Sequence, residues 1–200
     1  MISIPSMPVI ILMITVVVTT DITDATPACF ASHADYRIEG DSIALQEVGE
    51  HPLGYRVVDL MLGGGRCHFL PNTTASSCRA DSRDVTKLAQ EKYGWTYINS
   101  RAEFDDLKYG KNVKLPLLGL FSDTDIPFEL DRRNMNDIYP SLDEMARTAL
   151  AALEAATKDS DKGFFLMIEG SRIDHAGHGN DPVSIESRIC DSLTKQFHAV

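Results

Sequence analysis

The sequence lacks a CxxC pair, a surplus of basic residues, an internal repeat, a low-complexity linker and any apolar run long enough to cross a bilayer as a helix. Each absence removes a class of function. Without CxxC, the four cysteines (Cys29, Cys67, Cys78 and Cys190) offer neither a zinc ribbon nor a thioredoxin-type redox site. The formal net charge of −10 argues against nucleic acid as a partner, because a polyanion calls for a basic stripe. The most apolar run, Val9 to Val18, falls well short of the roughly 20 residues that span a membrane, so a membrane anchor is not expected in this chain. The run has no basic segment before it and no A-x-A-like cleavage site after it, and makes a poor signal peptide. Its β-branched residues, Ile10, Ile11, Ile14, Val16, Val17 and Val18, favour a buried parallel strand over a signal sequence.

What is present belongs to an ordinary globular protein. A hydrophobic fraction of 44% and a charged fraction of 24% over 200 residues suit one domain or part of a larger one. A locally cationic pocket remains compatible with the acidic balance, since a few arginines or metal ions set the field at one site. Strand and helix signals alternate. Ser42 to Val48 reads as a helix capped by Asp41 and stopped by Gly49, and Arg56 to Leu62 as a strand ending in the tight turn Gly63-Gly64-Gly65. Asp84 caps a helix that runs to Tyr93 and stops at Gly94. Trp95 to Ile98 and Val113 to Phe121 are strand-like. The capping box Ser141-Leu-Asp-Glu144 opens a helix with Leu142, Met145, Ala149, Leu150 and Leu153 on one face. Gly163 to Ile168 reads as a buried, central strand. The expected fold class is α/β, with a mostly parallel central sheet flanked by helices.

Cys67 and Cys78 flank the polar loop His68-Phe-Leu-Pro-Asn-Thr-Thr-Ala-Ser-Ser77, which can close as a small disulfide ring; two free thiols in a reducing compartment are the alternative. Asn72-Thr73-Thr74 in that loop is a glycosylation sequon, meaningful in a secretory compartment. Cys29 falls in a helix expected after Pro27 and reads as a buried thiol.

In open α/β sheets, sites gather beyond the C-terminal ends of strands. Two strands here end in oxygen and nitrogen donors: one runs into Asp21-Ile-Thr-Asp24-Ala-Thr26-Pro27, the other into Glu169 through His178. Asp174 and His178 share one helical face and suit zinc, while Glu169 and Thr26 offer the oxygens that suit magnesium. The plain alternative is a solvated helix start.

The run Glu169-Gly-Ser-Arg-Ile-Asp174-His175-Ala-Gly-His178 resembles the metal-binding E-G-x-x-I-D-x-x-x-H stretch of alkaline phosphatases. Asp24-Ala-Thr26-Pro27-Ala28, followed by Arg37, is similar to the family's magnesium segment. Leu60-Met-Leu-Gly-Gly-Gly65, Phe121 to Arg132 and Pro140-Ser-Leu-Asp-Glu-Met145 also match, so that the resemblance runs over residues 14 to 182. It implies that Asp174 and His178 are ligands of one zinc of a catalytic pair. Thr26 and Glu169 would bind magnesium, with Asp24 near it through water. Arg37 would clamp phosphate, and His175 would stand behind the ligands, facing Asp24. The implied reaction is hydrolysis of phosphate monoesters by attack of a serine followed by hydrolysis of the phosphoserine. The wording is nearest to fungal vacuolar-type members, which implies a lumenal catalytic domain and a homodimer for the full-length protein.

The family's D-S-x-x-x-x-T nucleophile segment lies upstream of the strand ending near Thr20, and the residues before that point hold no such stretch. Residues 1–182 are therefore expected to form a partial alkaline phosphatase domain, inactive alone, with 183–200 as a divergent tail outside the fold. Two other readings stand beside this one. A phosphodiesterase or phosphoglycerate mutase would share the D-x-x-x-H chemistry, but Asp24-Ala-Thr26-Pro27 with Arg37 discriminates against it. A non-catalytic metal-binding remnant would keep the fold without the chemistry.

Overall fold

The computed structural model describes residues 12–184. Residues 9–11 of the expected first strand, Cys190 and all of the expected tail beyond Ser184 lie outside them. The chain alternates strands and helices in the order β1 (Met13–Asp21), α1 (Ala25–Ala31), α2 (Gly40–Val48), β2 (Leu60–Gly64), a 3₁₀ turn (Arg66–Phe69), α3 (Val85–Tyr93), β3 (Thr96–Ile98), α4 (Arg101–Asp105), β4 (Leu117–Leu120), α5 (Glu129–Arg132), α6 (Leu142–Thr157), β5 (Phe164–Glu169) and α7 (Arg172–His178). The five strands form one sheet in the order β3-β4-β2-β1-β5, and every pairing is parallel.

Strand periodicity explains the continuous apolar runs. Val16 and Val18 point to one face, where Met61, Leu118 and Leu120 meet Ala44 and Val48 of α2 and Val85 and Ala89 of α3. Val17 points to the other, where Leu60, Leu62 and Leu117 meet Met145, Ala149 and Ala152 of α6 together with Phe104, Phe121 and Ile126. With both faces covered, neither set can be polar. α6 carries the expected capping box, Ser141 Oγ accepting from Glu144 N while Glu144 accepts from Ser141 N. α3 is capped by Asp84, which accepts from Lys87 N, and ends at Gly94 in the left-handed region.

The structure corrects several local expectations. α2 begins at Gly40 behind Glu39, and Asp41 does not cap it; the Asp41 carboxylate instead accepts from Ala80 N at 2.9 Å. β2 starts at Leu60 rather than Arg56, because the Asp59 carboxylate takes the Ile14 N–H that a strand carbonyl would otherwise accept. Gly63 and Gly64 extend this strand and leave only Gly65 to turn, at φ +89°. A Cβ on Gly64 would run into the Thr124 carbonyl. Cys29 is exposed, since α1 buries the face carrying Pro27, Ala28 and Ala31. β5 is not central: among the described residues it pairs only with β1, so Phe165 and Ile168 are exposed and only Met167 is buried. The Cys67–Cys78 ring, by contrast, is closed as the sequence allowed, with Cα atoms 4.9 Å apart.

One core side chain is out of keeping with its surroundings. Glu47 on α2 is fully buried, and neither carboxylate oxygen has a hydrogen-bond partner. Burial, and secondarily the charge of Asp21, push its carboxyl well above the ordinary glutamate value. The fold therefore keeps a proton that the unfolded chain gives up at lower pH. This contribution favours the fold below the ordinary glutamate value and is lost as pH rises toward the raised folded one. Glu47→Met should stabilise the protein by about 1–3 kcal/mol near neutrality. Urea denaturation at mildly acidic and at alkaline pH checks this: the gain should widen at the higher pH, and an equal or negative difference would show that Glu47 has a partner.

Candidate active site at the C-terminal rim of the sheet

The rim is built where β1 and β5 stop. Their ladder runs from Met13 opposite Phe164 to Val18 opposite Glu169. Beyond it, β1 shifts register against β2, between Val17 and Asp21. Ser171 closes the gap. Its hydroxyl oxygen accepts from Thr19 N at 3.2 Å, Thr20 N at 3.1 Å and Thr20 Oγ1 at 2.9 Å, all buried, and Arg172 N donates back to Thr19 Oγ1. The loop after β1 and the loop after β5 are thereby fastened together.

The consequence is the expected meeting of the two motifs. Thr26 Oγ1, in the first turn of α1, donates to Glu169 Oε1 at 3.0 Å across 143 residues of sequence. Asp24 takes the Arg37 guanidinium at 2.6 Å through Oδ1 and faces His175 Nε2 at 3.4 Å through Oδ2. Burial alone would raise the Asp24 carboxyl; the Ala25 N–H, the Arg37 hydrogen bond and the charges of Arg37 and His175 outweigh it and hold the group below the ordinary aspartate value. Arg37 is two-thirds exposed yet lines the same cavity of about 460 Å³ as Asp21, Asp24, His68, Asp125 and His175.

Asp174 and His178 are placed differently. They pair with each other at 3.4 Å on the outer face of α7, with side chains 74% and 81% exposed, and neither lines the cavity. Each residue turns a helix by about 100°, so Arg172 and His175, three apart, share the inward face instead. The one group of three close metal-ligating side chains among the described residues is Cys67, His68 and Cys78, and its two thiols are spent in the disulfide.

Asp125 organises this inward face and carried no role in the sequence reading. Its Oδ2 receives Arg172 Nη1 at 2.5 Å and faces His175 Nδ1 at 3.1 Å, and its Oδ1 accepts from Asp21 N at 3.2 Å. The Arg172 guanidinium lies 3.8 Å over the Phe128 ring. The signal was available: Ser122 to Asp125 leaves the C-terminal end of β4, as the two recognised loops leave β1 and β5. His68, 3.4 Å from Asp21, likewise follows the end of β2.

An all-parallel sheet with these two loops meeting at its rim agrees with comparison to known proteins. The alkaline phosphatase family model matches residues 12–191, and the chain belongs to that family. It is 56% identical over 179 residues to the repressible alkaline phosphatase of Saccharomyces cerevisiae and 49% identical over 170 residues to the alkaline phosphatase of Schizosaccharomyces pombe. In both cases 84% of this chain aligns, and it spans 31% of the relative's length. Among solved structures, the Thermus thermophilus alkaline phosphatase superposes with a TM-score of 0.69 at 33% identity, covering 87% of this chain and 32% of that one. A TAB5 alkaline phosphatase mutant with Mg bound superposes at 0.64 with 29% identity, over 89% of this chain and 44% of that one.

If Asp125 anchors the α7 face, Asp125→Ala and Arg172→Ala should each cost about 1–3 kcal/mol of stability, since each leaves a half-buried charge without its partner. Denaturation of the two single variants and the double variant should give a coupling of about 1 kcal/mol. Purely additive losses would show that the pair contributes nothing to holding α7.

Proposed function

We propose that this chain carries part of the site of a phosphate-monoester hydrolase. In this reading Thr26 and Glu169 hold magnesium, with Asp24 reaching it through water. Asp174 and His178 hold one zinc of a pair, and Arg37 clamps the phosphate. The observation that carries the reading is the convergence of Asp24, Thr26 and Arg37 with Glu169 and His175 at one rim. The donors suit the ions: Thr26 and Glu169 are oxygen ligands for a hard cation, and Asp174 with His178 pairs a carboxylate with an imidazole, as zinc takes. Charge balance points the same way. Asp21, Asp24 and Asp125 line the cavity beside Arg37, a field that repels a phosphate dianion unless bound cations reverse it.

When bound, the metals supply Lewis-acid stabilisation of the oxygens that enter and leave phosphorus. The chain's own residues position the substrate. Asp24 fixes the Arg37 guanidinium through Nη2, and its remaining donors offer the planar fork that phosphate oxygens accept from. His175, held between Asp24 and Asp125, keeps both carboxylates in place behind that fork. The chain contains no D-S-x-x-x-x-T stretch, so the attacking serine comes from elsewhere in the working enzyme. The Cys67–Cys78 bridge supports an oxidising, lumenal setting.

Two measurements test the reading. The 200 residues alone, given zinc and magnesium, should hydrolyse p-nitrophenyl phosphate at alkaline pH no faster than buffer. Residues 12–191, grafted in place of the matching segment of the S. cerevisiae relative, should support turnover. In that graft, Arg37→Ala should lower kcat/KM by about 10²- to 10³-fold, the scale of a lost charge-stabilising donor, and weaken inhibition by inorganic phosphate. Turnover by the chain alone, or unchanged constants in the Arg37 variant, would reject the assignment.

A further inference from the structure

We propose that Asn72 is an N-glycosylation site, its side-chain amide carrying an oligosaccharide on the loop that the Cys67–Cys78 disulfide closes. The metal and phosphate assignments play no part in this inference.

Three observations meet at this loop. Asn72-Thr73-Thr74 has the acceptor amide and, two residues on, the hydroxyl that the modification requires, with no proline between them. Residues 72–76 are all exposed, and Asn72 to Ser77 contains no large apolar side chain, so a bulky hydrophilic group there displaces no packing. The loop is also closed by a disulfide, which persists in the same oxidising, secretory compartments where the oligosaccharide is transferred. A sequon alone would say little; a sequon exposed inside a disulfide ring has its compartment written beside it.

The fold accommodates the product without rearrangement. The loop backbone is set by Asn72 N donating to Asp81 O, Thr74 N to Pro71 O and Cys78 N to Cys67 O, at 2.9, 2.8 and 3.0 Å. Its base is held by the buried Arg79 guanidinium, which spans the Asp81 carboxylate and the His68 carbonyl. The Asn72 side-chain amide has two N–H bonds, and one donates to Ala80 O at 2.9 Å. Glycosylation consumes only one N–H. In the transfer, the Nδ2–C1 bond to the sugar forms as the bond from C1 to the phosphate oxygen of a lipid-linked diphospho-oligosaccharide breaks. The lipid diphosphate leaves with the electron pair, and the displaced Nδ2 proton passes to a base of the transferase. One N–H remains on Nδ2 as a donor.

One peptide reports the outcome. Cleavage after Arg66 and Arg79 releases Cys67 to Arg79, which contains both half-cystines and the sequon. The full-length protein is expressed in a eukaryotic host and digested without reduction. The peptide is then weighed before and after peptide-N-glycosidase treatment, which leaves Asp where a glycosylated Asn stood. The expected result is a glycopeptide whose disulfide is intact and whose residue 72 becomes Asp after treatment. Asn72→Gln and Thr74→Ala should each remove the glycan, whereas Thr74→Ser, which keeps the hydroxyl, should retain it; that contrast separates sequon chemistry from a general folding defect. An unmodified Asn72 in a disulfide-closed peptide would overturn the proposal. So would an unmodified Asn72 in a peptide with both thiols free, and so would a glycan lost equally from Thr74→Ser and Thr74→Ala.

Discussion

The rim depends on Ser171. At the end of the β1–β5 ladder, two successive backbone N–H groups, those of Thr19 and Thr20, are buried and both donate to its hydroxyl oxygen. A buried donor left unpaired costs about 1–3 kcal/mol, so one small hydroxyl that accepts both is worth more than its size suggests. The bond network also has direction. By tying the turn before α7 to the end of β1, Ser171 sets the height at which Glu169 meets Thr26 and the angle at which His175 meets Asp24. A larger side chain at this buried position would separate the two loops.

From that pin a ladder of alternating basic and acidic side chains runs across the cavity: Arg172, Asp125, His175, Asp24, Arg37. Each acid is shared by two basic neighbours, and each element supplying one comes off the C-terminal end of a parallel strand or the segment just after it. α7 turns its residues to two faces. Its inner face, Arg172 and His175, belongs to the ladder; on its outer face Asp174 and His178 pair with each other in solvent. Four residues of helix set the spacing of their backbone positions.

Much of this was legible in the sequence because the signals were local. The Ser141–Glu144 capping box, the Asp84 cap and the Gly94 stop are decided within a few residues, and the structure reproduces them. The run ending at Val18 announced a buried parallel strand, and the run ending at Leu62 a strand. What the sequence did not disclose was set by distant neighbours. Nothing near Asp59 says that its carboxylate will displace a strand bond, nor does anything near Gly64 say that Thr124 will press against it. The edge position of β5 depends on which strands flank it, and the exposure of Cys29 on which face of α1 meets the sheet. At the site, Thr26 and Glu169 meet across the two motifs, whereas Asp125 and Ser171, each inside a segment that matched the family but given no role there, acquire their roles only through partners some 50 and 150 residues away.

The pairing of β1 with β5 also governs the order in which the protein can assemble. Thr20 and Ser171 are 151 residues apart in the chain. At ribosomal speeds of about 5–20 residues per second, β1 leaves the exit tunnel roughly 8 to 30 seconds before the serine that finishes it does. During that interval β2 and β4 can dock on one side of β1, but its other edge and the Thr19–Thr20 amides wait in water. Among the described strands, the candidate site is therefore the last part to close, and a nascent chain stalled before β5 would already hold a core and still have no rim.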